Sequence, residues 1–142
     1  MVDPVAEVEA AMVTIRRRQT RRIFARAAGA PDDSAQQVID AIEAAGATPI
    51  GVNGVAEALG VDQPRASKLV AAAVTAGLIR READQQDGRR TNLVLTTAGV
   101  ERLERVHTFR RRRFAAAMDD WPEAEKETFA VLLTRFVTGL DH

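Results

Sequence analysis

Glycine placement decides what the middle of this chain can become. The segment VNGVAEALGVDQPRASKLVAAAVTAG, Val52 to Gly77, is split by Gly60. Ahead of that glycine, Val55, Ala56 and Leu59 are spaced to face inward on a short helix. Gly60 permits a tight turn, Val61 plugs it, and Asp62 is placed to N-cap a second helix. Ala66, Leu69, Val70, Ala73 and Val74 form the apolar face of that helix, and Gly77 closes it at the position where a left-handed residue is wanted. This is helix-turn-helix punctuation. Many helical hairpins share it, so the residues that follow decide its meaning.

Those residues are LIRREADQQDGRRTNLVLTTAG, Leu78 to Gly99. Two strand-like runs, Leu78–Glu82 and Thr91–Leu95, flank a polar turn centred on Asp87-Gly88. Asp-Gly between such runs predicts a β-hairpin, because glycine takes positive φ at no steric cost. The tip carries Arg89 and Arg90, and the incoming strand carries Arg80 and Arg81. Helix, turn, helix, strand, tip, strand is the order of a winged helix-turn-helix. An arginine-tipped hairpin beside a helix pair suits a grip on a nucleic-acid backbone or a narrow groove.

The flanks predict long helices. Residues 5 to 28 hold helix formers without internal Pro or Gly, and Val5, Val8, Met12 and Ile15 lie at helical spacing. Arg16, Arg17, Arg18, Arg21, Arg22 and Arg26 crowd the second half, and Gly29 and Pro31 end the segment. A helix of that length runs roughly 36 Å and needs a surface beyond its own domain to bury its apolar stripe. Asp33 and Gln36 suggest a capping box for the next helix, whose stripe is Val38, Ile39, Ile42 and Ala45, with Gly46 as its stop. Residues 47 to 52, with Pro49 and Gly51, read as a loop or a very short strand. After the hairpin, Thr96 or Thr97 caps a helix reaching about Asp119. Pro122 starts a last helix, with Trp121 at its cap position and Phe129, Leu132, Leu133, Phe136, Val137 and Leu140 along one stripe. The first helix and a second copy of the chain are the obvious partners for that stripe.

The fold class expected is mainly α, with a small β element: a winged helix-turn-helix over residues 33–96, flanked by helical dimerisation regions at 4–28 and 97–140. With 142 residues, one structural unit is expected.

Composition narrows the function. Cysteine is absent, which removes disulfides, thiol redox chemistry and thiolate zinc sites. His107 and His142 are the two histidines, so neither a metal site nor a cofactor is expected. No Ser/His/Asp order, phosphate-cradling glycine loop or paired-carboxylate set suggests an enzyme. The N-terminus has acids and no basic leader, and no apolar run has the length of a membrane span, so a cytoplasmic protein is expected. Formal net charge is zero, so distribution matters more than balance. Eighteen of the twenty basic residues are arginine, a bias that high-GC coding also produces.

The candidate DNA-binding residues fall in two groups. On the outward face of the second helix are Gln63, Pro64, Arg65, Ser67 and Lys68. Arg65 is chemically suited to guanine and Gln63 to adenine, while Ser67 and Lys68 suit phosphates. In the hairpin, Arg89 suits the negative potential of a narrow A/T-rich minor groove, Asp87 aims it, and Arg90 and Arg81 serve as backbone contacts or structural pairs. The bland alternative is a solvated helix face and a solvated turn. The clusters Arg16–Arg26 and Arg110–Arg113 read first as solvated faces or ion pairs, with Asp119, Asp120, Glu123, Glu125 and Glu127 as partners. His107 reads as a packing residue before a sensor, and Trp121 and the phenylalanines as core or dimer residues before a ligand box.

These residues resemble the MarR family of multiple-antibiotic-resistance type transcriptional regulators. Asp87-Gly88-Arg89, five residues, then Leu95-Thr96 is similar to the family's wing signature, with Gly99 following; VAEALGVDQPRASKLVAAAVTAGLIRRE is similar to its helix-turn-helix. Ala66 is smaller than the valine or isoleucine common there. The resemblance implies a homodimer joined by first and last helices, recognition helices in major grooves and wings in minor grooves. It also implies a pseudo-palindromic double-stranded operator, repression, and release by a small aromatic ligand. The absence of cysteine sets the chain apart from the family's peroxide sensors. The competing readings are a winged-helix protein-interaction module without specific DNA binding and a sequence-tolerant architectural binder.

Overall fold

The computed structural model describes residues 1–20 and 33–142. The chain divides into two compact units, Met1–Phe109 and Arg110–His142. The first unit holds α1 (Pro4–Thr20), α2 (Asp33–Ala45), α3 (Val52–Leu59), α4 (Gln63–Thr75), β1 (Ile79–Ala83) and β2 (Thr91–Leu95). The boundary between the units falls inside α5 (Thr97–Ala117), and the second unit ends with α6 (Glu123–Leu140). The expected continuation of the first helix to Ala28, its stop at Gly29 and Pro31, and Arg21, Arg22 and Arg26 lie outside the described residues.

The core of the first unit is built where helical spacing predicts it. Val38 and Ile39 of α2, Val55 of α3, and Ala66, Val70 and Ala73 of α4 are wholly buried. Leu78, Ile79, Leu93 and Leu103 close the same cluster, and Ala56, Leu59, Val61 and Val74 pack partly buried against it. The small Ala66 is one of the wholly buried residues, so larger neighbours supply the volume at that point.

Both helix ends around the turn close in the same way. Gly60 has φ +66°, and the amide of Val61 donates to the Ala56 carbonyl at 3.0 Å. Gly77 has φ +77°, and the amides of Gly77 and Leu78 donate to Val74 (2.9 Å) and Ala73 (3.1 Å). These are Schellman closures, which need a left-handed residue and so favour glycine. The second one corrects the expected first strand. Leu78 is spent on the helix closure, so β1 begins at Ile79 and runs to Ala83.

The strands pair antiparallel, with Ile79 opposite Leu95, Arg81 opposite Leu93 and Ala83 opposite Thr91. Leu93 also donates its amide to the Ile50 carbonyl at 2.8 Å. The segment between α2 and α3 thus makes one strand-like rung on β2 without becoming a strand.

Two other local expectations are corrected. Gln36 does not complete a capping box. It is buried, its amide nitrogen donates forward to Asp40 at 2.9 Å, and its Oε1 has no hydrogen-bond partner among the described residues. The inward position of residue 36 on α2 overrides the local pattern. The N-cap of α6 is Pro122, not Trp121. Pro122 has extended ψ (148°) and takes the amides of Glu125 and Lys126 on its carbonyl, with no side-chain cap. Trp121 instead stands edge-on to Phe129, with ring centroids 5.3 Å apart.

Among the described residues, both terminal helices carry exposed apolar side chains. Val5, Val8, Met12 and Ile15 of α1 are exposed, as are Phe129, Leu132, Leu133, Val137 and Leu140 of α6. Among the described residues no helix is long and apolar enough to cross a membrane.

Candidate nucleic-acid interface

α4 presents the first group of candidate residues. Asp62 caps it as expected, accepting the Arg65 amide on Oδ1 at 2.8 Å. Pro64 sits in the first turn, where the helix needs no amide from it. Because Ala66, Leu69, Val70 and Ala73 turn inward, Gln63, Pro64, Arg65 and Lys68 turn outward and are exposed, with Ser67 half-buried at the edge of that face.

The second group sits in the seven-residue connection between β1 and β2, and there the structure differs from a glycine-driven turn. Gly88 does not lie in the left-handed region. The loop is held by carboxylates instead. Asp84 takes the amides of Gln86 (2.8 Å) and Asp87 (3.1 Å) on Oδ1, and the side-chain amide of Asn92 on Oδ2 (3.2 Å). The Asp84 amide donates to the Arg90 carbonyl at 3.0 Å, and the Arg90 amide donates to the Asp87 carbonyl at 2.9 Å. Asp87 then takes the Arg89 amide at 3.1 Å and faces Arg89 Nε at 3.4 Å and Arg90 Nε at 3.9 Å.

These bonds bring Asp87, Arg89 and Arg90 together as the spacing suggested. The Arg89 side chain is 94% exposed beyond its anchor. Among the described residues no hydrogen bond or ion pair joins this group to the α4 group. The two present separate basic surfaces, one on a helix and one on a hairpin tip.

Asp84 and Asn92 are the members that sequence reasoning missed. A signal was available, since an aspartate opening a polar turn often takes the amide two residues on. The same bonds act on its acidity. The Gln86 amide, then the Asn92 side chain, then the Asp87 amide stabilise the charged form, and the positive charge of Arg90 adds to them. They outweigh partial burial and hold the Asp84 carboxyl below the ordinary aspartate value.

Thr96 fastens the base of the hairpin. Its hydroxyl donates to the Gly77 carbonyl at 2.6 Å and accepts the Gly99 amide at 3.1 Å. Its own amide donates to Leu78 at 3.0 Å. Thr96, not Thr97, therefore caps α5 while tying β2 to the end of α4. Gly99 is buried there, and a Cβ at that position would run into the Leu78 carbonyl.

The remaining candidates fall elsewhere. Arg80 pairs with Glu82 at 3.1 Å along its own strand, a structural pair. Arg16, Arg17, Arg18, Arg111, Arg112 and Arg113 are exposed, and Arg110 is half-buried. His107 of α5 places Nε2 2.7 and 2.9 Å from the carboxylate oxygens of Glu43 on α2. That pair ties two helices of the first unit together. Among the described residues no group of three His, Asp or Glu side chains stands ready to hold a metal.

Comparison with known proteins agrees with this arrangement. Residues 26–90 match the model of the MarR family. Over 87 residues the chain is 32% identical to the HTH-type transcriptional regulator YxaD of Bacillus subtilis, a match spanning 61% of each chain. The fold superposes on a MarR family protein from Bacillus stearothermophilus with a TM-score of 0.82 at 18% identity, covering 97% of this chain and 96% of that one. It is also similar to MepR of S. aureus. A single-residue variant of MepR bound to an oligodeoxyribonucleotide gives a TM-score of 0.62 at 22% identity, covering 95% of this chain and 97% of that one. MepR bound to ethidium bromide gives 0.63 at 22% identity, covering 94% and 95%. At such identities these structures speak to fold, and the family match speaks to the residues of the helix-turn-helix and the wing tip. Over residues 26–90 the sequence is similar to the MarR family, and the fold is that of a solved MarR family protein.

Proposed function

We propose that this protein is a homodimeric, sequence-specific DNA-binding transcriptional regulator, a repressor whose DNA affinity responds to a small aromatic ligand. The observation that carries the reading is the wing tip. Arg89 stands almost fully exposed on a loop whose shape is already set by hydrogen bonds. A solvated turn does not need that scaffolding; an arginine meant to enter a groove profits from it.

The rest of the mechanism follows from the two surfaces. α4 enters a major groove with Arg65 and Gln63 toward base edges, while Ser67 and Lys68 meet phosphates. Arg89 enters the adjacent minor groove, and Arg90 meets the backbone. Two copies then read half-sites about one helical turn apart, so the operator is a pseudo-palindrome. The exposed apolar side chains of α1 and α6 supply the surface for a second copy. Response to an aromatic ligand is supported by the family resemblance and by the ethidium complex of MepR.

A titration of the protein against DNA flanking its own gene, with random DNA as competitor, tests the reading. Specific binding that Arg89→Ala weakens supports it. Equal affinity for all sequences at moderate salt leaves an architectural binder, and no binding leaves a protein-interaction module. Sedimentation showing a folded monomer at micromolar concentration removes the dimer.

A further inference from the structure

We infer that Asp84 is a positioning residue for DNA binding: it holds the wing in its groove-entering shape through Asp87, so that Arg89 is presented before DNA arrives. This rests on the reading of the protein as a DNA-binding regulator.

A carboxylate in a loop that approaches a polyanion repels it, so Asp84 as a bare charge opposes binding. Its bonds point to a different role. One oxygen takes two successive loop amides, those of Gln86 and Asp87, and the other takes Asn92 from the opposite strand. Asp84 therefore spans the mouth of the loop and fixes the backbone of Asp87. Asp87 in turn takes the backbone amide of Arg89 and sits beside the Nε of both Arg89 and Arg90. The order is Asp84, then Asp87, then Arg89, with each member fixing the next. A tip ordered in advance has less freedom to lose on entering a groove.

Two substitutions separate geometry from charge, since Asp84→Ala and Asp84→Asn remove the same negative charge. Asparagine keeps an oxygen for the two amides, and its nitrogen can donate to Asn92 once that amide is turned over. Alanine keeps none of these bonds. The expected result is that Asp84→Ala weakens binding to the specific site about tenfold, while Asp84→Asn stays within about threefold of the parent. Parallel tightening of both variants overturns the proposal, because charge alone then accounts for Asp84; no change in either also overturns it, because the bonds of Asp84 then contribute nothing to binding. Amide hydrogen exchange without DNA gives an independent readout. Exchange at Gln86 and Asp87 is expected to speed up in Asp84→Ala and to stay near the parent rate in Asp84→Asn. Equal rates in all three proteins overturn the latch whether or not DNA is bound. A parent protein that prefers no DNA sequence, yet shows this exchange pattern, retains the latch and loses the regulator reading.

Discussion

The hydroxyl of Thr96 donates to the carbonyl of Gly77 across 2.6 Å, joining the end of β2 to the residue that closes α4. One side chain thereby sets the hinge between the helix and the hairpin, and the same oxygen caps α5 through the Gly99 amide. Thr96→Val keeps the shape and removes both bonds. A stability loss of about 1–2 kcal/mol is expected in urea titration. A loss below a few tenths would show that the fastening is redundant.

Gly99 has no room for a methyl group, because the obstacle is backbone, the Leu78 carbonyl, and not a side chain that can swing away. In an ordinary helix Gly→Ala stabilises. Here Gly99→Ala is expected to destabilise by about 1–3 kcal/mol, the range of overpacked sites. Thermal unfolding reads the sign directly.

Gly88 makes the opposite case. It stands outside the left-handed region, and a Cβ there would meet nothing within 4 Å. Gly88→Ala is expected to change stability by no more than about 0.5 kcal/mol. A larger loss would mean that the loop depends on glycine after all.

Strong acid is expected to release the bonds that Asp84 makes in the wing. Asp84 has a lowered folded pKa, so its bonds contribute fully above the unfolded value and are lost as pH falls through the folded one. The window lies below the ordinary aspartate value of about 3.9. A pH series of amide resonances is expected to show Gln86 and Asp87 shifting there with Asp84. In Asp84→Asn that titration disappears. Titration of those amides above pH 5 would contradict the assignment.

The helix-turn-helix was legible because its signals are local. Gly60 and Gly77 each terminate a helix within a few residues, and Asp62 reaches only to Arg65. The inward set of α4 followed from period alone. The wing was legible as a hairpin but not in its cause. Asp87-Gly88 pointed to a glycine turn, whereas the organising residue is Asp84, whose third bond reaches eight positions along the chain to Asn92 on the other strand. Register had to be known before that contact was visible. Gln36 failed for a related reason: its pattern is that of a cap, but its place on α2 is interior.

A helix start ordinarily gathers about half a positive charge and offers free amides to a passing anion. Pro64 has no amide to offer, the Arg65 amide is already taken, and Asp62 sets a carboxylate beside them. The start of α4 therefore offers an anion less than most helix ends do. Folding and reading are thereby assigned to different atoms. Under the proposed function, exchanging Gln63 or the Arg65 side chain is expected to alter which sequence is preferred, while the bond that starts the helix, made by the backbone of residue 65 and the side chain of Asp62, is left in place.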